Sequence, residues 1–294
     1  MPIDHQPEKS TYPISPENAV EMNRLMIQDR LLTNAMGGVL AEQDQAALDE
    51  LHDVLDVACG PGGWVLDVAF EHPEINVTGI DISKTMIQYA RTQASVQDLE
   101  NAHFETMDIL QPLVFADHSF DLVNARYLQP LMPVAMWPRF IAECARITRP
   151  GGIIRLTEAE NPGVTTSPAF QRLNDIALQA LKAVGFSFSL TGYSLGLIPM
   201  QRRFLQDAGY QHIQTRASVL DFSVGTDAYP SYVRNLTIAY GLAEPFFLKM
   251  GVTTPQELQQ LRTQMADETA RDDFCGMNLY VTTWARTPLP EMWG

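Results

Sequence analysis

Short apolar runs alternate along the chain with longer stretches in which apolar residues recur every three or four positions. Five runs read as strands: residues 54–58, 75–80, 102–107, 120–124 and 152–157. The stretches 64–71, 84–96 and 137–148 between them carry helical periodicity. Strands that alternate with helices predict a parallel sheet with helices on both faces. Upstream, residues 1–16 are proline-rich and read as an extended arm. A helix is expected next, with Ser15 as its cap and Pro16 in its first turn. It runs through Met22, Leu25, Met26 and Leu31.

Downstream, helices are expected over 168–184 and over 201–209, the second closed by Gly209, and strands over 213–224 and 277–285. Residues 226–273 between those strands look helical and carry Tyr229, Tyr232, Tyr240, Phe246 and Phe247. The expected fold class is α/β: a Rossmann-like doubly wound sheet, mostly parallel with an antiparallel last strand, plus a helical cap. The expected division is an arm with cap helices over 1–50, a sheet domain over 51–225 and 274–290, and a helical lid over 226–273. The lid aromatics either line a pocket or form the lid's own small core.

Composition narrows the function. The chain has 294 residues, 46% of them apolar, enough for a large core. Its formal net charge is −15, with no run of Lys or Arg. That argues against nucleic acid and anionic membrane surfaces as partners, which demand a positive face. The three cysteines are far apart and form no Cys-x-x-Cys pair, so neither a metal site nor a disulfide framework is expected. No apolar stretch has the length of a membrane span, and the N-terminus shows no apolar signal core; a cytoplasmic location is expected. The oligomeric state cannot be read from the chain.

The chemistry centres on Val54-Leu-Asp56-Val-Ala58-Cys-Gly60-Pro-Gly62-Gly63-Trp64: a strand, a glycine loop and a helix start. Glycines there let backbone approach a ligand closely, at the strand ends where open α/β sheets bind. Asp56, just before the loop, suits a ligand ammonium group. Asp81, in Gly79-Ile-Asp81-Ile82-Ser83, ends the second strand, where a carboxylate can accept both hydroxyls of a ribose. No Lys or Arg falls between Val54 and Ser83, so a cationic ligand is favoured.

These motifs resemble the class I S-adenosylmethionine-dependent methyltransferases, and within them the small-molecule type related to quinone and sterol C-methyltransferases. The resemblance spans about Met22 to Ala159. Asp56 to Gly63 looks like the family's glycine loop, with Ala58 where many members have the first glycine. Asp81 looks like its ribose-binding acid, and Met107-Asp108-Ile109 like the segment that touches adenine. Phe120-Asp-Leu-Val-Asn124-Ala-Arg126 looks like the fourth strand, and Arg149-Pro-Gly-Gly152 like the turn before the fifth. The resemblance implies S-adenosyl-L-methionine as cofactor, with S-adenosyl-L-homocysteine as product. It implies cofactor contacts from Asp56, Ala58, Gly60, Gly62, Asp81, Ile82, Met107, Asp108, Ile109, Asn124 and Arg126. For some of these a plainer role stands beside it: Asp108 can cap a turn, and Asn124 and Arg126 can face a helix or solvent.

A catalytic base is not evident. His52, His72, His103, His118 and His212 all fall at strand beginnings, the wrong edge of the sheet. His5, on the arm, could fold over the site. Glu158 and Glu160 follow the fifth strand, where either could orient substrate or take a proton, or serve as a cap or solvated acid. In-line methyl transfer from an activated donor needs a base only if the nucleophile keeps its proton. The expected activity is methylation of a small, partly apolar molecule. The rivals are a cyclase or decarboxylase on the same fold, a cofactor-sensing protein, and an NAD-dependent dehydrogenase. The last is disfavoured by Val65 where its fingerprint wants a small residue.

Overall fold

In the computed structural model, residues 13–15 and 17–289 are described. The sheet is built from β1 (Asp53–Val57), β2 (Asn76–Asp81), β3 (Ala102–Thr106), β4 (Phe120–Arg126), β5 (Thr148–Ala159), the short β6 (Val164–Thr165), β7 (Gln211–Asp221) and β8 (Gly276–Arg286). Strands β3-β2-β1-β4-β5 run parallel in that order. Then β8 pairs antiparallel with β5, β7 antiparallel with β8, and β6 continues along β8 past the end of β5. Strand β8 alone is reversed, so the mostly parallel Rossmann-like sheet with an antiparallel last strand is the expected fold. Chain order reverses between β1 and β4, and at such a switch point a crevice opens outside the carboxyl ends of the strands.

Helices α3 (Gly63–Glu71), α4 (Lys84–Val96), α5 (Trp137–Ile147) and α6 (Pro168–Ala183) fall close to where periodicity places them. Helix α1 (Ala19–Met36) departs from expectation at its start. Its cap is Asn18, whose side chain accepts from the Val20 N–H at 2.8 Å; Ser15 does not cap it, and Pro16 lies outside the described residues. Asn caps as well as Ser and stands directly before the first turn. Helix α7 (Ile198–Asp207) begins three residues earlier than the pattern suggests. The cause is remote: the Glu160 carboxylate accepts the N–H groups of Gly196 at 2.6 Å and Ile198 at 2.7 Å. The stretch 226–273 divides into α8 (Tyr229–Lys249) and α9 (Pro255–Thr269), with Thr254 capping the second. The short α2 (Gln45–Asp49) and β6 have no signal in the apolar pattern.

Three apolar clusters fill the interior. One lies between the sheet and α5 and α7. A second lies against α3 and α4, with Trp64 and Val65 at its centre. The third joins α1, α6, α8 and α9 to the far ends of β7 and β8.

A row of polar side chains crosses the sheet through this apolar frame. Parallel register sets Asp56 beside Asn124 and Asn124 beside Arg155. Partners in register point to the same face, so the three side chains meet. Asn124 donates to Asp56 Oδ1 at 2.7 Å, and Arg155 donates to Asn124 Oδ1 at 2.7 Å. Arg155 is fully buried and forms an ion pair with Glu42 at 2.5 Å, from the segment between α1 and α2. Burial opposes ionisation of Glu42, but the Arg155 charge and hydrogen bonds outweigh it and hold the carboxyl below its usual range. The guanidinium groups of Arg126 and Arg155 lie 5.7 and 5.9 Å from the Trp64 ring.

Removing one partner of a buried ion pair strands the other charge. Glu42→Ala should therefore destabilise the protein by about 3–5 kcal/mol, read as a lowered urea midpoint. A loss under about 1 kcal/mol, the range of exposed pairs, would show that Arg155 finds another counter-charge.

Candidate functional site

A cavity of about 350 Å³ lies at the carboxyl ends of β1, β2 and β4. Its first wall is Asp56, the loop residues Ala58 to Pro61 and Gly63, together with Asp81, Ile82 and Met107 to Leu110. The glycine loop turns through left-handed backbone at Ala58 (φ +55°), Gly60 (φ +55°) and Gly62 (φ +82°). Ala58 thus holds a conformation that favours glycine, and its methyl is small enough to bear it. The Asp81 carboxylate organises the loop: it accepts from the Gly60 N–H at 3.0 Å and the Ser83 N–H at 2.8 Å. Burial pushes the Asp81 carboxyl up, and those two N–H groups offset only part of that rise. Ile82 beside it is 37% exposed, an apolar side chain left at the cavity wall.

Asp56 sits at the floor, at the open end of the polar row. Burial pushes its carboxyl up to about 7, although Arg126 and the Asn124 amide act in the opposite sense. Arg126 pairs with Asp29 of α1 and donates to Thr33 Oγ1 at 3.2 Å. In all, Asp29, Asp56, Asp81 and Asp108 line the cavity against two arginines, Arg24 and Arg126. Arg24 is itself paired with Glu21 at 2.7 Å. The surplus of carboxylates favours a cationic guest.

The second wall is apolar. It is made by Leu178 and Leu181 of α6 and by Leu236, Ala239, Tyr240, Ala243, Phe246 and Phe247 of α8. One stripe of α1, from Arg24, Leu25, Gln28 and Asp29 to Leu32, closes a third side. Asn235 ties α8 to α1 by donating to the Arg24 carbonyl at 2.7 Å.

Nine of the eleven residues expected at the cofactor line this cavity: Asp56, Ala58, Gly60, Asp81, Ile82, Met107, Asp108, Ile109 and Arg126. Asp108 also caps a turn, accepting from the Leu110 N–H at 2.9 Å. Two do not line it. Asn124 is fully buried behind Asp56 and acts on the cavity only through that carboxylate. Gly62 starts α3 and is covered by Phe104 and Ala90, so its role is packing of helix against strand.

Neither Glu158 nor Glu160 is among the cavity-lining residues. Glu158 is buried and accepts from the Leu128 N–H at 2.8 Å. Glu160 caps the segment leading into α7, as described above. His5 lies outside the described residues. The remaining histidines stay off the cavity, as their strand-start positions suggest. Cys59 does line it, but burial and the nearby Asp81 and Asp56 charges push its thiol well up, away from a nucleophilic thiolate.

Of the α8 aromatics, Tyr232, Tyr240, Phe246 and Phe247 line the cavity, while Tyr229 bonds the Thr269 carbonyl. Sequence reasoning missed Arg24, Gln28, Asp29, Tyr127, Gln129 and Asn235. The first three had a readable signal: polar residues on the helical stripe that also carries Leu25 and Leu32.

Comparison with known proteins agrees with this architecture. Residues 54–152 match a family described as a methyltransferase domain. A demethylmenaquinone methyltransferase from Listeria monocytogenes is 32% identical over 113 residues, 38% of this chain and 46% of the relative. The chain thus spans about half the length of that curated relative. The methyltransferase pytC from Aspergillus terreus is 23% identical over 97% of this chain and 86% of its own length. Among solved structures, an O-methyltransferase family protein from Burkholderia thailandensis superposes with a TM-score of 0.53 at 16% identity, covering 92% of this chain and 59% of that one.

The loop glycines should differ in their response to a methyl group. A Cβ on Gly62 would lie 2.6 Å from Phe104 and 2.8 Å from the Ala90 Cβ, whereas one on Gly60 meets nothing nearer than 3.9 Å. Gly62→Ala should cost about 2–4 kcal/mol, from the positive φ plus overpacking. Gly60→Ala should cost about 1 kcal/mol. Urea denaturation of both variants checks this, and equal losses contradict it.

Proposed function

We propose that this chain, whose residues 54–152 match a methyltransferase domain family, methylates a small, partly apolar molecule with S-adenosylmethionine as donor. The observation that carries the reading is one cavity with two unlike walls: the acid-rich loop wall and the apolar wall of α6 and α8. A bound donor would supply a methyl group already activated on a cationic sulfur. The chain's residues fit such a guest. Asp81 keeps both oxygens at the cavity wall, oriented by backbone N–H groups and able to accept ribose hydroxyls. Ile82 and Met107 to Leu110 offer an apolar and polar edge for a base. Asp56, held by Asn124 in a dry floor, suits an ammonium group.

What the protein contributes is position and dryness. Two partners held in line within a closed cavity react without the entropy cost of meeting, and no base is required if the acceptor arrives deprotonated. Helices α8 and α9, inserted between β7 and β8, would form the lid of the division set out above, with α1 as its companion over residues 1–50. The sheet domain, 51–225 and 274–290, would then be the cofactor-binding part. Glu158 and Glu160 act as structural acids in this scheme, and acceptor chemistry falls to groups on the apolar side.

Labelled S-adenosylmethionine incubated with the protein and a metabolite extract should transfer label to a small product heavier by one methylene unit. A product of unchanged mass would favour the cyclase reading instead. Asp81→Ala should weaken S-adenosylhomocysteine binding by about 1–3 kcal/mol, the penalty for unpaired buried hydroxyls; unchanged affinity on calorimetry removes Asp81 from the site.

Affinity should also depend on pH with a definite sign. Burial pushes the Asp56 carboxyl up to about 7, and a ligand ammonium prefers its charged form. Binding of S-adenosylhomocysteine should therefore strengthen by about tenfold from pH 6 to pH 8, and Asp56→Asn should flatten the curve. A curve that falls over this range removes Asp56 as the ammonium partner.

A further inference from the structure

Five buried side-chain nitrogen or oxygen atoms lack a hydrogen-bond partner among the described residues. Three of them, Arg126 Nε, Gln129 Nε2 and Glu158 Oε2, cluster in the chain at the carboxyl ends of β4 and β5 and the turn after β4. Buried polar groups normally have partners, so such a concentration calls for a physical reason. It falls where Arg126, Tyr127, Gln129, Pro130 and Leu131 line the cavity.

The turn is strained as well as unsatisfied. Tyr127 has φ +58°, a conformation unfavourable for a bulky side chain that persists only where the surroundings impose it. Here they do. The Tyr127 N–H donates to the Thr157 carbonyl at 3.0 Å, and its ring stands edge-on to Tyr280 at 5.7 Å. The Leu128 N–H donates to Glu158 Oε1 at 2.8 Å, and the Gln129 N–H also bonds that carboxyl. Burial pushes the Glu158 carboxyl up to about 8 against those two N–H groups. The effect of this clamp is to hold Gln129, 7% exposed, in the cavity wall with an amide donor unused. The same cavity is lined by Leu131, Leu178, Leu181 and Phe246, which offer only apolar side chains.

We propose that Gln129 is the polar anchor of the acceptor subsite, its amide donating to an oxygen of the methyl acceptor, and that Glu158 is the positioning residue that sets it there. The acceptor is then an otherwise apolar molecule carrying a carbonyl, enolate or phenolate oxygen. This rests on the methyltransferase reading only in assigning the apolar side of the cavity to the acceptor. An amide can donate two hydrogen bonds, and an acceptor oxygen lacking that partner in an apolar cavity would lose its hydration without replacement. Discrimination for such an oxygen therefore follows from the wall itself.

The test uses the full chain, with and without saturating S-adenosylhomocysteine, and two probes of one carbon frame: 1-tetralone, which has a carbonyl, and tetralin, which does not. Calorimetry on the wild type should show 1-tetralone bound about three- to tenfold more tightly. In the nearly isosteric Gln129→Met the two probes should bind equally, with S-adenosylhomocysteine affinity unchanged. Glu158→Ala should also erase the preference, and Glu158→Gln, which still accepts a backbone N–H, should restore it. Equal binding of the probes by the wild type overturns the proposal, as does binding of neither, or a preference that survives Gln129→Met. If Glu158→Ala does not fold, Gln129→Met decides alone. Failure of the wild type to bind S-adenosylhomocysteine strikes the methyltransferase reading instead, and the titrations without it still judge Gln129.

Discussion

The burial of charge at the carboxyl ends of the central strands constrains everything around it. Arg155 is fully buried, and an ion in that position costs several kcal/mol unless it is paired and hydrogen-bonded. It is both, through Glu42 on one side and Asn124 on the other. Asn124 uses its carbonyl on Arg155, which leaves its amide free to donate to Asp56. The orientation of Asn124 is thus set by the arginine, and the cavity-lining carboxylate of Asp56 is oriented from behind. Remote parts of the chain meet in this row: the segment after α1, β5, β4 and β1.

The same row explains why α1 is part of the sheet domain's function. Glu42 follows α1 and anchors its end, while Asp29 within α1 pairs with Arg126 at the end of β4. Between these two ties, the stripe from Arg24 to Leu32 is held over the cavity. Helix α8 is fastened to α1 through Asn235 and Arg24. The cavity is therefore enclosed by elements that hold one another, and its two walls differ because they descend from different parts: strand-end loops rich in acids, and amphipathic helices that turn apolar faces inward.

Much of this was legible in the chain, for reasons of local physics. Alternation of apolar runs and helical periods marked the parallel strands, since those strands are buried on both faces and helices cover them. The positions of Asp56 and Asp81 at strand ends followed from counting along β1 and β2. Side chains whose roles depend on a distant partner were not legible. Glu160 looked like a possible catalytic acid because it follows a strand at the ligand edge, but Gly196 and Ile198 take both its oxygens. Asn124 looked like a pocket residue because β4 ends near it; it is buried between Asp56 and Arg155, its partners in register on the two neighbouring strands.

By itself, then, the sequence determined the class of fold, the glycine loop, the acids at the ends of β1 and β2, and the helical character of the insertion before β8. These depend on patterns within a few residues, where backbone propensity and side-chain alternation act. Only the tertiary structure decided which polar residues face the cavity and which support it from behind. That choice depends on register between strands and on helices arriving from elsewhere in the chain. Arg155 opposite Asn124, Asp29 against Arg126, and Gln129 held in the wall by Glu158 are all of this kind. Each exists because burying a charge or an amide demands a partner, and only the folded chain determines where that partner stands.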